Sequence, residues 1–141
     1  MNSNSLRKGL MLAVLLLAPL RAAPIEGAVI VANDSVALES ISLAALRDLY
    51  TGRTTYWQDG ESVIIIVLAE KTDPALKEIS GMEPSQFRTF WQRMVFSGRG
   101  RLPKTATDAA GVATLIAANK GAIAIVPADM VPHGAKRLQL K

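Results

Sequence analysis

The chain contains no cysteine. That excludes thiol catalysis, cysteine-ligated metals and disulfides, so the fold must be stable through its core alone. Histidine occurs once, at His133 between Pro132 and Gly134. A lone loop histidine lacks the neighbours that acid–base or metal chemistry requires. There is no Gly-x-Ser-x-Gly elbow, which removes the commonest small-hydrolase reading. Gly98-Arg99-Gly100 has no third glycine and follows a helical stretch, so it is not a dinucleotide-binding turn. The carboxylates Asp59, Glu61 and Glu70 form no readable acid–base pair. Internal repeats and low-complexity linkers are also lacking. No catalytic role is assigned to any residue, no cofactor is expected, and the chain reads as a non-enzyme.

What is present begins with a leader. Arg7 and Lys8 precede an apolar run from Leu10 to Leu17, followed by the small residues Ala22 and Ala23. This is the pattern of a secretory signal peptide over residues 1–22, and the run is too short for a spanning helix. The expected location is therefore the periplasm. The leader also holds much of the charge excess. Arg7, Lys8 and Arg21 are three of the sixteen basic residues, and no acid precedes Glu26, leaving thirteen bases against twelve acids. With that balance, nucleic acid is not an expected partner. The local basic run Arg99, Arg101 and Lys104 reads as a solvated connection. Residues 23–141 are expected to form one domain with half its residues available for a core.

Along that domain, buried-strand patterns alternate with helical ones. Ala28 to Ala32 reads as a strand ending at Asn33-Asp34-Ser35. Ser42 is placed to cap a helix carrying Leu43, Leu46, Leu49 and Tyr50, which Gly52 stops. Val63 to Leu68 is continuously apolar, as in a strand covered on both faces. Asp73-Pro74 looks like a cap followed by proline at the first helical position, with an end at Gly81. Pro84 opens another helix, whose apolar face is Phe87, Phe90, Trp91, Met94 and Val95. Thr107 or Asp108 caps the next helix, which ends near Asn119 and Gly121. Ala122 to Val126 and Leu138 to Leu140 complete the strands. The class is α/β, with a mainly parallel sheet flanked by helices.

Three blocks then stand in order: Leu43 to Arg53 with Tyr56-Trp57-Gln58-Asp59-Gly60, Phe90 to Gly98 closing at Pro103, and Asn119 to Val126. Together, from about Gly27 to Val126, they resemble the periplasmic phosphate-binding proteins of ABC importers, as a small single-lobe member. The resemblance implies a single type II-like binding-protein lobe, a small anion such as phosphate as ligand, and an ABC permease or membrane sensor as partner. Two-lobed members hold ligand in a closing cleft. One lobe implies half a cleft, which a homodimer could complete.

The resemblance also implies an arginine and a Ser-Gly-Thr run after the strand matching Val63 to Leu68. This chain has Ala69-Glu70-Lys71-Thr72-Asp73-Pro74 instead. Lys71 and Thr72 offer a cation and a hydroxyl at a helix start, where anions are favoured. Glu70 and Asp73 oppose an anion, and Pro74 removes an amide donor. Ser35 offers a further hydroxyl after the first strand, on the edge where open α/β sheets bind ligands. The candidate ligand residues are Ser35, Lys71 and Thr72. Arg53 could reach an anion or the carbonyls of the preceding helix. The altered loop leads to an expectation of weak or absent phosphate affinity. The alternative is an interaction or adaptor module built on one lobe, with no ligand of its own.

Overall fold

Valine and isoleucine dominate the central strands, and alternate residues turn to opposite faces, so one sheet feeds two cores. The computed structural model describes Ile25 and residues 27–141. The signal peptide expected over residues 1–22 lies outside them. The elements run β1 (Ala28–Ala32), β2 (Ser40–Ile41), α1 (Leu43–Tyr50), β3 (Ile64–Leu68), α2 (Asp73–Ser80), α3 (Pro84–Phe96), β4 (Lys104–Ala106), α4 (Ala109–Ala118), β5 (Ala122–Pro127) and β6 (Lys136–Leu140). The strands form one sheet in the order β2-β6-β1-β5-β3-β4.

One face packs Ile30, Ala32, Ile65, Ile123, Ile125 and Leu138 against buried residues of α1, α2 and α3. The other packs Val31, Ile64, Ile66, Leu68, Ala122, Ala124 and Val126 beneath α4 through Val112 and Ile116. The layers are therefore helices, sheet and helix, as the α/β reading requires. The continuous apolarity of β3 follows from this, because both of its faces are covered.

Three of the five strand pairings are parallel: β3 with β4, β3 with β5, and β2 with β6. β1 is antiparallel to both of its neighbours, β5 and β6. The sheet is thus mixed, with its reversed strand inside. Both edges end in short strands, the two residues of β2 and the three of β4. Short edges limit strand addition by another chain. Neither edge strand was expected, since two or three residues carry no readable alternation.

The helix ends follow their signals. Ser42 accepts from the Ala45 N–H at 3.1 Å, and Asp108 from the Gly111 N–H at 2.7 Å. Gly81 ends α2 in the left-handed region. On α3, Phe87 and Trp91 are buried and Phe90 and Met94 are partly so. Val95, expected on the same apolar face, is instead exposed. Phe96 beyond it is 95% exposed.

Candidate functional site

The carboxyl ends of β3, β4 and β5 lie at one end of the sheet, since these strands are parallel. The loop after β3 leads from that end into α2. It opens with a tight three-residue turn. The Lys71 N–H donates to the Ala69 carbonyl at 2.8 Å, and Glu70 between them has φ 65. A left-handed non-glycine residue there stores roughly 1–3 kcal/mol of strain. Lys71 is exposed and takes no part in the three ion pairs among the described residues.

Thr72 points the other way. It is 5% exposed, and its hydroxyl donates to the Leu68 carbonyl at 2.8 Å. It occupies the N-cap position of α2 but makes no side-chain cap bond. Asp73, expected as the cap, is instead the first residue of the helix, with Pro74 next. There its carboxylate complements the helix dipole without bonding a first-turn amide. The cap shifted by one residue because Thr72 can return its hydroxyl to the strand it has just left.

Beneath this loop the packing is under-satisfied. The Tyr50 hydroxyl is buried without a hydrogen-bond partner among the described residues. Burial pushes its pKa well above the ordinary tyrosine value. Tyr50, Thr72, Leu76 and Ile125 line a void of about 10 Å³, close to the least space a water needs.

Beside the loop, a cleft of about 370 Å³ runs between α2, α3 and β4. That is the size of a small-ligand site. Phe87, Trp91 and Leu102 give it apolar walls, and Glu70, Asp73 and Arg88 are its charges. The Trp91 indole N–H is buried and has no acceptor among the described residues. Sequence periodicity correctly placed Phe87 and Trp91 in the core. It could not show that the same rings also wall a cleft, because the covering strand β4 left no pattern to read.

Ser35 lies elsewhere. β1 runs against β5, so its last residue pairs with the first residues of β5: Ala32 stands opposite Ile123. Ser35 is therefore at the amino ends of β3 and β5, the end opposite Lys71 and Thr72. A five-residue strand separates the two ends by roughly 16 Å. One small anion cannot touch Ser35 and Lys71 of the same chain. The expectation that Ser35 sits on the ligand-binding edge is corrected by the reversed direction of β1.

At that amino end Ser35 is part of a joint. Its hydroxyl accepts from the Gly121 N–H at 2.9 Å, and its own N–H donates to the Asn33 side chain at 2.8 Å. The Asn33 amide donates to the Ile116 carbonyl at 2.7 Å. From the far side, the Trp57 indole N–H donates to the Gly121 carbonyl at 2.9 Å. Gly121 has φ +74, and a Cβ there would stand 2.1 Å from the Ser62 carbonyl oxygen. Only glycine fits. Arg53 is exposed and reaches Asp48 at 3.9 Å, serving its own helix end rather than the cleft. Among the described residues no group of three His, Cys, Asp or Glu could hold a metal, and no helix is long and apolar enough to cross a membrane.

No protein-family model and no curated protein sequence matches this chain. Solved structures do. A candidate phosphate ABC transporter substrate-binding protein with bound phosphate from Clostridium perfringens superposes with TM-score 0.62 at 15% identity, over 81% of this chain and 44% of its own. A phosphate-binding protein from Stenotrophomonas maltophilia gives TM-score 0.57 at 14% identity, over 82% of this chain and 39% of its own. An ABC-type phosphate transport receptor from Vibrio cholerae gives TM-score 0.54 at 16% identity, over 81% and 46%. The chain is thus a distant structural relative of phosphate ABC transporter substrate-binding proteins and spans less than half the length of each. At these identities the likeness establishes the fold, one lobe of a binding protein.

Proposed function

We propose that this protein is an exported solute-binding-like protein, acting in the periplasm, whose single lobe offers a weak site for phosphate or another small anion at the carboxyl end of its sheet. The observation that supports this reading is the opening of α2. An exposed lysine with no carboxylate partner among the described residues, Lys71, stands at a helix start whose N-cap side chain makes no cap bond. First-turn amides and a nearby cation are what an oxyanion needs. Glu70 and Asp73 oppose the anion, and the inward Thr72 hydroxyl must leave Leu68 before it can donate to one. Affinity should accordingly be low, and an ABC permease, a membrane sensor or a second copy of the chain would have to close the open side.

Calorimetric titration of phosphate-stripped residues 23–141, with light scattering in the same buffer, tests this. The expected result is saturable binding with Kd weaker than about 1 μM, and Lys71→Gln should weaken it further. Tighter binding would show that the acidic loop does not govern the site. A folded monomer with no response at all would favour the second reading, an adaptor that kept one lobe as a scaffold. The specific support for that reading is the pair of carboxylates, Glu70 and Asp73, where an anion would sit.

A further inference from the structure

Between Glu83 and Asp108 the chain carries five basic residues and no acidic one: Arg88, Arg93, Arg99, Arg101 and Lys104. The rest of residues 23–141 is net acidic, so the positive charge is segregated into α3 and the loop to β4. All five are exposed, and none belongs to an ion pair among the described residues. The same stretch holds three of the exposed large apolar side chains, Phe96 at 95%, Leu102 at 49% and Val95 at 38%. Arg93 lies one helical turn before Phe96. The chain then folds back, with the Gly98 N–H on the Val95 carbonyl and the Arg99 N–H on the Met94 carbonyl. That turn sets the cationic loop beside the exposed ring.

We propose that this basic and apolar end of α3, with the loop to β4, docks the protein on an anionic lipid surface. Cations attract acidic headgroups, and an aromatic ring next to them enters the interface between headgroup and acyl chain. A lipid surface fits better than an acidic protein partner. Phe96 and Val95 project from the helix end, outside the cleft that Leu102 helps to wall, and a fluid interface receives projecting groups without a matching shape. Nucleic acid would use the arginines but gives no reason for the exposed Leu102 and Val95.

The geometry adds a consequence. The end of α3 lies over Gly52 and, through the Gly100 loop, Thr55, near the amino end of the sheet. Docking there leaves the carboxyl end of the sheet, with Lys71, away from the bilayer. The proposal does not rest on anion binding, so either can fail alone.

Co-sedimentation of residues 23–141, which hold every described element, with vesicles tests it. One set is phosphatidylcholine, the other phosphatidylcholine with phosphatidylglycerol. Binding is expected only to the mixed vesicles, and it should fall as salt rises. The triple change Arg93→Gln, Arg99→Gln and Arg101→Gln should weaken it about tenfold or more. Phe96→Ala should weaken it about fivefold at constant charge. All four side chains are exposed, so thermal melts should match the parent. No binding to the mixed vesicles overturns the proposal, as does equal binding to neutral ones. Binding to a DNA duplex that the arginine triple abolishes and Phe96→Ala leaves unchanged, without vesicle binding, would assign the patch to nucleic acid instead.

Discussion

The two ends of the sheet are built differently. At the amino end, Asn33 reaches Ile116, and Ser35 and Trp57 reach Gly121, by directed hydrogen bonds across long sequence separations. At the carboxyl end, a strained Glu70, an uncapped α2 and the unpartnered Tyr50 hydroxyl lie within one loop and the helices beneath it. The first end is satisfied and the second is not. Local rules are broken where a structure has something other than stability to do. The comparison supports the proposal of a ligand site at the carboxyl end, while the Ser35 hydroxyl is engaged with the Gly121 N–H at the other end.

The largest effect should come from the joint. Gly121→Ala sets a Cβ against the Ser62 carbonyl and places alanine at positive φ. A loss of about 3 kcal/mol in urea unfolding is expected. A loss below about 1 kcal/mol, where ordinary surface changes lie, would mean that the amino end yields easily and the contrast is overstated. Trp57→Phe removes one donor to the Gly121 carbonyl, which keeps its bond from the Ile64 N–H. The expected loss is smaller, about 1–2 kcal/mol, from one hydrogen bond and some packing. A double-mutant comparison with Ser35→Ala would show whether the two staples act through Gly121 together.

How much of this was legible beforehand divides along the same line. Ser42, Asp108, Gly81 and Gly121 announce helix boundaries through chemistry that acts within a few residues. β3 and β5 announce themselves through apolar runs. The direction of β1 is a different kind of fact. Nothing in Ala28 to Ala32 states whether its neighbours run with it or against it, because pairing is settled by elements about a hundred residues away. Ser35 was placed on the wrong end for that reason. β2 and β4 are too short to show alternation, and without β4 the cleft beside Trp91 has no visible wall. The one-residue shift of the α2 cap depends on where the Thr72 side chain turns, which burial decides.

Tyr50 sharpens the other half of the comparison. Its hydroxyl gives up water with no partner gained, so Tyr50→Phe should raise stability at neutral pH by about 1 kcal/mol. A loss would reveal a water or ligand group in the void. The pH dependence gives an independent check. Burial raises the folded-state pKa above the ordinary 10.0. Above pH 10 the unfolded chain loses this proton first, so the folded state is disfavoured as pH rises, by about 1.4 kcal/mol per unit. The difference between parent and Tyr50→Phe isolates the tyrosine, and it should grow in the variant's favour only above pH 10.

Glu70 carries the smallest expected effect and the one that bears most directly on function. Glycine adopts positive φ without the Cβ penalty but is more flexible when unfolded. The two terms partly cancel, so Glu70→Gly should gain only about 0.5–1 kcal/mol. The same change removes a carboxylate one residue from Lys71, at the loop where an anion would approach. If the α2 opening is the anion site, phosphate should bind several-fold more tightly in the variant, and the tightening should shrink as salt screens the exposed charge. A stability gain without any change in phosphate response would leave the strain real and detach it from anion binding. The loop's purpose would then have to be sought in the neighbouring Trp91 cleft, whose mouth Glu70 and Asp73 share.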